Sequence, residues 1–213
     1  AQVRAVDLRV ARHQDHRVAV AQQQHHRQQQ VVKVADRALH QRGVPAGIAQ
    51  RPQGLVGPHQ ALDMLALDLK PARCRRVEAN LTRLGLGAAI KAGDCAKLDT
   101  WWDGEPFDAV LADVPCTASG VVRRNPDSKW LRRETDIASF AAAQARILDA
   151  LWQVVRPGGK LLYATCSVFP AENGVQIEKF LARQSQARRC REEQLLPNAE
   201  HDGFYYCLLE KHG

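Results

Sequence analysis

Leu111–Trp130 reads LADVPCTASGVVRRNPDSKW, and the rest of the chain is organised around it. The apolar run from Asp108 to Ala112 has the length and character of a short buried strand. It breaks off at Asp113-Val114-Pro115-Cys116, so a carboxylate, a rigid proline and a thiol share one strand exit. In open α/β sheets ligands bind just beyond such carboxyl ends. Thr117-Ala118-Ser119-Gly120 continues as a small-residue loop, followed by the basic pair Arg123-Arg124. Lys160–Ala164 (KLLYA) reads as a second buried strand, and Thr165-Cys166-Ser167 leaves it with a second thiol.

Upstream, Met64–Leu69 forms a strand ending beside Asp68, and Pro71 opens a helix over Ala72–Leu84 that Gly85 stops. Ala88–Ala92 is the next short strand, closed by Gly93-Asp94. A strand-end acid such as Asp68 suits ribose hydroxyls, and Asp94 suits an amino group of a base; both are equally at home in plain turns. Phe107–Ala112 follows Trp101-Trp102. Downstream, Asp136–Val155 carries a helical stripe (Ile137, Phe140, Ala141, Gln144, Ile147, Leu148, Leu151). Pro157-Gly158-Gly159 ends that helix and leads into the Lys160–Ala164 strand. Pro170 starts another helix, with Glu172 and Glu178 bracketing its apolar positions. The mixed-charge stretch from Arg183 to Glu193 reads as a loop, and Asp202–Leu209 as the end of a hairpin.

With these residues in view, DVPC-T-ASG-V-RRNPD-KW together with YATCSVFPAEN resembles the RNA (cytosine-5) methyltransferases. The likeness runs from about Leu62 to Lys211, about 70% of the chain. It implies a Rossmann-like class I fold and S-adenosyl-L-methionine as cofactor. It also implies methylation of cytosine C5 in RNA, ribosomal RNA foremost, through a covalent adduct between a cysteine and C6. Carried over residue by residue, it makes Cys166 the nucleophile, Cys116 the thiol needed for product release and Asp113 the group facing N3. Asp68, Asp94, Asp113 and Pro115 take the cofactor side, and Arg123, Arg124 and Lys129 stand ready for phosphates. That family's glycine-rich cofactor loop, of the form DxCAAPGGKT, has no counterpart in residues 1–60, so the first βα unit is expected to be absent or atypical.

Residues 1–60 have their own character. They lack Glu, Ser, Thr, Asn, Cys, Met and all aromatics, yet hold twelve Gln and six of the eight His. This reads as a poorly ordered, low-complexity segment, against an alternative basic RNA-binding arm. Residues 61–213 are then an incomplete catalytic domain. Of the net charge of +7, six units belong to residues 1–60, so the catalytic part is nearly neutral.

The six cysteines form no CxxC pair and match no zinc spacing, and His13, His16, His25 and His26 read as solvated; no metal is expected. Reduced thiols, a cytoplasmic location, no membrane span and a monomer are the corresponding expectations. Three rivals remain. One is a truncated homologue with residual RNA binding, one a transfer RNA methyltransferase. The third is a nucleotide-dependent oxidoreductase on the same fold, for which there is no GxGxxG.

Overall fold

The computed structural model describes residues 17–22 and 63–213. Seven strands form one sheet: β1 (Arg17–Gln22), β2 (Asp63–Asp68), β3 (Ala89–Ala92), β4 (Phe107–Asp113), β5 (Val155–Thr165), β6 (Ala187–Leu195) and β7 (Phe204–Lys211). Their order is β3-β2-β1-β4-β5-β7-β6. The first five run parallel; β7 is antiparallel to β5, and β6 to β7. The strand order reverses direction at β1, so the crevice between β1 and β4 is the topological switch point of a Rossmann-like sheet.

The register lines up the strand exits. Gln22 of β1 pairs with Asp68 on one side and Asp113 on the other. Asp113 in turn pairs with Ala164, one residue before the end of β5. The acids at the ends of β2 and β4 and the Thr165-Cys166-Ser167 exit therefore lie along one rim.

Of the first βα unit, expected to be absent or atypical, the strand is present. Val18-Ala19-Val20-Ala21 is a short β-prone alternation inside an otherwise unusual composition, and it occupies the centre of the sheet. Its start is anchored by Arg17. The Arg17 backbone N–H donates to Asp108 (2.7 Å), and its guanidinium reaches Asp63 (2.9 Å), Asp103 (2.7 Å) and the Glu105 carbonyl (2.9 Å). The same guanidinium lies over the Phe107 ring at 4.9 Å. The remainder of residues 1–60, with the His13/His16 and His25-His26 readings and the glutamine runs, falls outside the described residues.

Helix α1 (Pro71–Leu84) starts on a proline whose missing N–H costs nothing in the first turn. It ends at Gly85, φ 66°, where the Leu86 N–H donates to Leu81 and the Gly85 N–H to Thr82. A short α2 (Ser128–Leu131) precedes the long α3 (Glu134–Gln153). The Asp136 carboxylate accepts the Arg133 N–H at the start of α3 (3.1 Å), and Glu134 and Asp136 suit its positive dipole end. Helix α4 (Gly174–Arg183) follows a 3-10 turn at Pro170–Glu172.

Helices α3 and α4 pack on each other, and α3 packs on β4 and β5. Leu148, Leu151, Leu161, Ile177 and Phe180 are completely buried there. The β5 residues Leu161–Thr165 are buried throughout, as a central strand covered on both faces requires.

Two further expectations change. The strand after α3 begins at Val155 and takes in Pro157-Gly158-Gly159, with Gly158 at φ 74° and a register irregularity opposite Phe107/Ala109. The mixed-charge stretch read as a loop is largely β6. Its charged side chains pair within the strand or with neighbours, as in Arg189 with Glu178 and Glu192 and Arg188 with Glu210. An edge strand with one wet face carries such charges without cost, and they also discourage pairing with other chains.

Candidate active site

The chain leaves β4 at Asp113 and β5 at Thr165, and the two exits are neighbours in the sheet. Val114 and Pro115 are buried, and the Val114 N–H still donates to Ala164 (3.2 Å) before the loop diverges. This brings Cys116 and Cys166 together with their sulfurs 3.4 Å apart, both buried. The Cys166 thiol is held well above the ordinary thiol range. The hydrogen bond to Cys116 is the chief cause, followed by burial and the charges of Cys116 and Asp113. These surroundings favour the neutral thiol over the thiolate at Cys166.

The loop after Cys116 folds back on the loop after Cys166. Ala118 takes up a left-handed conformation, φ 60°, which a non-glycine residue adopts only where its surroundings hold it. The Gly120 N–H then donates to the Cys166 carbonyl (2.9 Å), and the Gly203 N–H donates to the Gly120 carbonyl (2.7 Å). A Cβ on Gly120 would lie 2.3 Å from the Gly203 oxygen, so only glycine fits this crossing of backbones.

Beneath the thiols lies a polar group that the sequence reading did not single out. Glu172 is completely buried, and its carboxylate accepts from the Thr117 N–H (2.9 Å), the Thr117 hydroxyl (2.6 Å) and the Ser167 hydroxyl. Gln144 donates to the same carboxylate (3.3 Å) and to the Pro115 carbonyl (2.8 Å). The Tyr163 hydroxyl donates to the Glu172 carbonyl (2.8 Å). Asn173 donates to the Ser167 carbonyl (2.8 Å) and accepts from the Thr165 hydroxyl (2.6 Å). One signal was present in the sequence: Gln144 falls on the apolar stripe of α3, where an amide must find partners inside the protein.

The other predicted residues divide. Asp68 sits at the end of β2, buried. Its Oδ1 accepts the Lys70 N–H (2.7 Å) and faces Arg73 (3.3 Å), and burial pushes its carboxyl up. Its Oδ2 is buried with no hydrogen-bond partner among the described residues. Asp94 is half-buried and accepts the Ala96 N–H in a turn (3.0 Å). Asp113 is half-buried at the rim. Arg123 and Arg124, read as phosphate contacts, both direct their charge at the buried carboxylate of Asp202. They clamp the turn before β7 against the thiol loop. Lys129 is exposed, its ammonium 5.0 Å over the ring of Trp130, a side chain 80% exposed. Cys95, read as packing, is buried, and burial pushes its thiol up to about 12.

Among the described residues no cluster of His, Cys, Asp or Glu is arranged to hold a metal ion, and no helix is long and apolar enough to cross a membrane.

Two thiols and an acid thus share the adjacent exits of β4 and β5, with Asp68 farther along the same rim at the end of β2. The 16S rRNA methyltransferase RsmB/F family matches residues 55–210. The chain belongs to that family. The ribosomal RNA small subunit methyltransferase B of Vibrio cholerae is 48% identical over 155 residues, covering 70% of this chain and 36% of the relative. The chain thus spans about a third of the length of the curated family members it matches. Among solved structures, PH0851 aligns with a TM-score of 0.67 at 30% identity, covering 70% of this chain and 37% of the other. NSun6 from Pyrococcus horikoshii, solved with SFG, aligns with a TM-score of 0.62 at 26% identity, covering 71% and 42%. The Rossmann-like class I fold expected of a family member is the fold observed.

Proposed function

We propose that this chain carries the catalytic core of an S-adenosylmethionine-dependent RNA methyltransferase that modifies C5 of cytosine, with ribosomal RNA as substrate. The observation that carries the reading is the thiol pair, 3.4 Å apart at the exits of β4 and β5. The catalytic unit comprises residues 61–213 together with β1.

Cytosine C5 is a weak nucleophile, and covalent catalysis divides its alkylation into easier steps. The Cys166 thiol gives up its proton and its sulfur forms a bond to C6. The electron pair of the C5=C6 double bond becomes available at C5, which would take the methyl group from the sulfonium donor and leave a neutral thioether. A base must then take the C5 proton, and the electrons of that C–H bond restore the double bond and expel the Cys166 thiolate. Cys116, in contact with Cys166, serves this release. Asp113, on the rim of the same crevice, faces N3 and stabilises the charge that develops in the ring. Pro115 holds the loop between the acid and the thiol to few backbone conformations.

The residues present fit the cofactor at the β2 end. The partnerless buried oxygen of Asp68 is an acceptor in search of a donor, and a ribose hydroxyl supplies one. Asp94 lies on the adjoining turn toward the base, and Asp113 and Pro115 border the reacting end. When bound, S-adenosylmethionine supplies an electrophilic methyl group. The presence of SFG, an S-adenosylmethionine analogue, in the NSun6 structure supports this choice.

The test is a covalent-trapping assay on ribosomal RNA fragments with the wild type and two variants. Cys116→Ala is expected to accumulate an RNA–protein adduct that survives denaturation, because release is lost while attack remains. Cys166→Ala is expected to form no adduct and to lose methyl transfer by at least ~1000-fold. An adduct formed by Cys166→Ala sinks the assignment.

A further inference from the structure

The residues immediately after the two thiols, Thr117 and Ser167, both donate their hydroxyls to one oxygen, Oε2 of Glu172. The other oxygen, Oε1, accepts the Thr117 N–H and the Gln144 amide. Glu172 is completely buried, and among the described residues its carboxylate meets four neutral donors and no cation. A buried carboxylate is expensive unless its lone pairs are met, and four donors meet them. Glu172 itself is held from behind: its carbonyl accepts the Tyr163 hydroxyl of β5, and the Asn173 side chain ties the next residue to Thr165 and Ser167. Gln144 extends the grip to Pro115, one residue before Cys116. The carboxylate is thus a cross-brace between two loops that belong to different strands and are also joined by the Gly120–Cys166 backbone bond, by the Val168 N–H donating to the Ser119 hydroxyl (3.0 Å) and by longer hydroxyl contacts such as Thr117 with Ser167 (3.3 Å).

We propose that Glu172 is the positioning residue of the site, fixing the separation of the Cys116 and Cys166 sulfurs by holding the residue that follows each. The inference rests on the roles assigned to those two thiols above. Its consequence for the reaction is order: the attacking and the releasing thiol address the same ring because one anion sets both loops.

The two sulfurs can be probed without RNA or cofactor. Arsenite, As(OH)3, condenses with two neighbouring thiols to give a dithiolate with one remaining hydroxyl and two molecules of water. It binds tightly only where the sulfurs already stand side by side. The parent is the full chain with Cys74→Ser and Cys190→Ser, which removes the two cysteines outside the core and leaves buried Cys95 and Cys207 as internal reporters. Arsenite binding is followed by intact mass and by arsenic–thiolate absorbance.

Glu172→Ala is expected to weaken arsenite binding at least ~10-fold, the scale of losing buried charge-assisted hydrogen bonds. The near-isosteric Glu172→Gln keeps an oxygen for the Thr117 N–H but replaces the shared Oε2 acceptor. It is expected to weaken binding by a smaller factor, and Ser167→Ala to do the same. Cys95 and Cys207 should stay as slow to alkylate as in the parent. Binding within twofold of the parent in folded Glu172→Gln and Ser167→Ala overturns the proposal, even if Glu172→Ala does not fold. So does a loss accompanied by fast alkylation of Cys95 and Cys207, which marks general loosening. A parent that captures arsenite normally, but whose Cys116→Ala derivative forms no adduct with RNA, removes the transferase reading and leaves the brace standing.

Discussion

The two halves of the sheet are built to different standards. On the β4–β5 side, α3 buries six of its residues, and every loop beyond the strands is tied to another by backbone or side-chain hydrogen bonds. On the β2–β3 side, α1 buries none, β3 is mostly exposed, and the acid at the strand end has an oxygen without a partner among the described residues. The contrast separates two kinds of function. The proposed reaction at the thiol pair needs geometry fixed in advance, and the loops that carry the two thiols are cross-linked before any ligand arrives, although the Gln144 Oε1 beside them is buried without a partner among the described residues. A surface that receives a polar ligand keeps its hydrogen-bonding capacity open, at some expense in stability.

If that contrast is right, substitutions in the two halves should differ in kind. The largest effect on folding is expected from Leu148→Ala, which empties a fully enclosed site under β4 and β5: about 2–5 kcal/mol in chemical denaturation. A loss below about 1 kcal/mol would mean that the braced half is not the stable half. Gly120→Ala forces apart two backbones that nearly touch, and about 1–3 kcal/mol is expected, together with weaker arsenite capture by the thiol pair. Destabilisation without any change in capture would uncouple the turn before β7 from the site.

The smallest and most telling change is Asp68→Asn. Burial raises the Asp68 carboxyl, so the folded state prefers it neutral. A raised carboxyl favours the fold at pH below its unfolded value, and this advantage is lost as pH rises through the folded value. At neutral pH the wild type is therefore handicapped at this position. Asp68→Asn is expected to unfold at an equal or slightly higher denaturant concentration at pH 7, with the gap closing below about pH 4. Its affinity for S-adenosylmethionine, measured by calorimetry, should fall roughly 5–20-fold. A variant that loses stability at neutral pH and keeps its affinity would make Asp68 a structural acid.

The halves also differ in how much of them can be read from residues alone. β4 and the second part of β5 carry apolar runs, Ala109–Ala112 and Leu161–Ala164, that lead into chemically distinctive exits, so these stretches and the thiols beyond them were legible. β1 was not, because its four alternating small and β-branched residues lie within a stretch whose glutamines and histidines obscure any period. β6 was missed because alternating opposite charges look like a solvated loop until a partner strand is known to lie beside them. Glu172 illustrates a deeper limit. Its neighbours in sequence suggest only a helix start, and its role depends on Thr117, 55 positions away, and on Gln144, 28 positions away. Arg123 and Arg124, expected at phosphates from sequence, have a partner in the buried Asp202 that only the fold reveals.

β1 acts as a ruler. It separates β2 from β4 by a single intervening strand, so the backbones carrying Asp68 and Asp113 stand two strand spacings apart, roughly 9–10 Å. A ligand that reaches both acids has to bridge that gap along the rim. The central strand thereby sets the separation of the two carboxylate positions through backbone geometry alone.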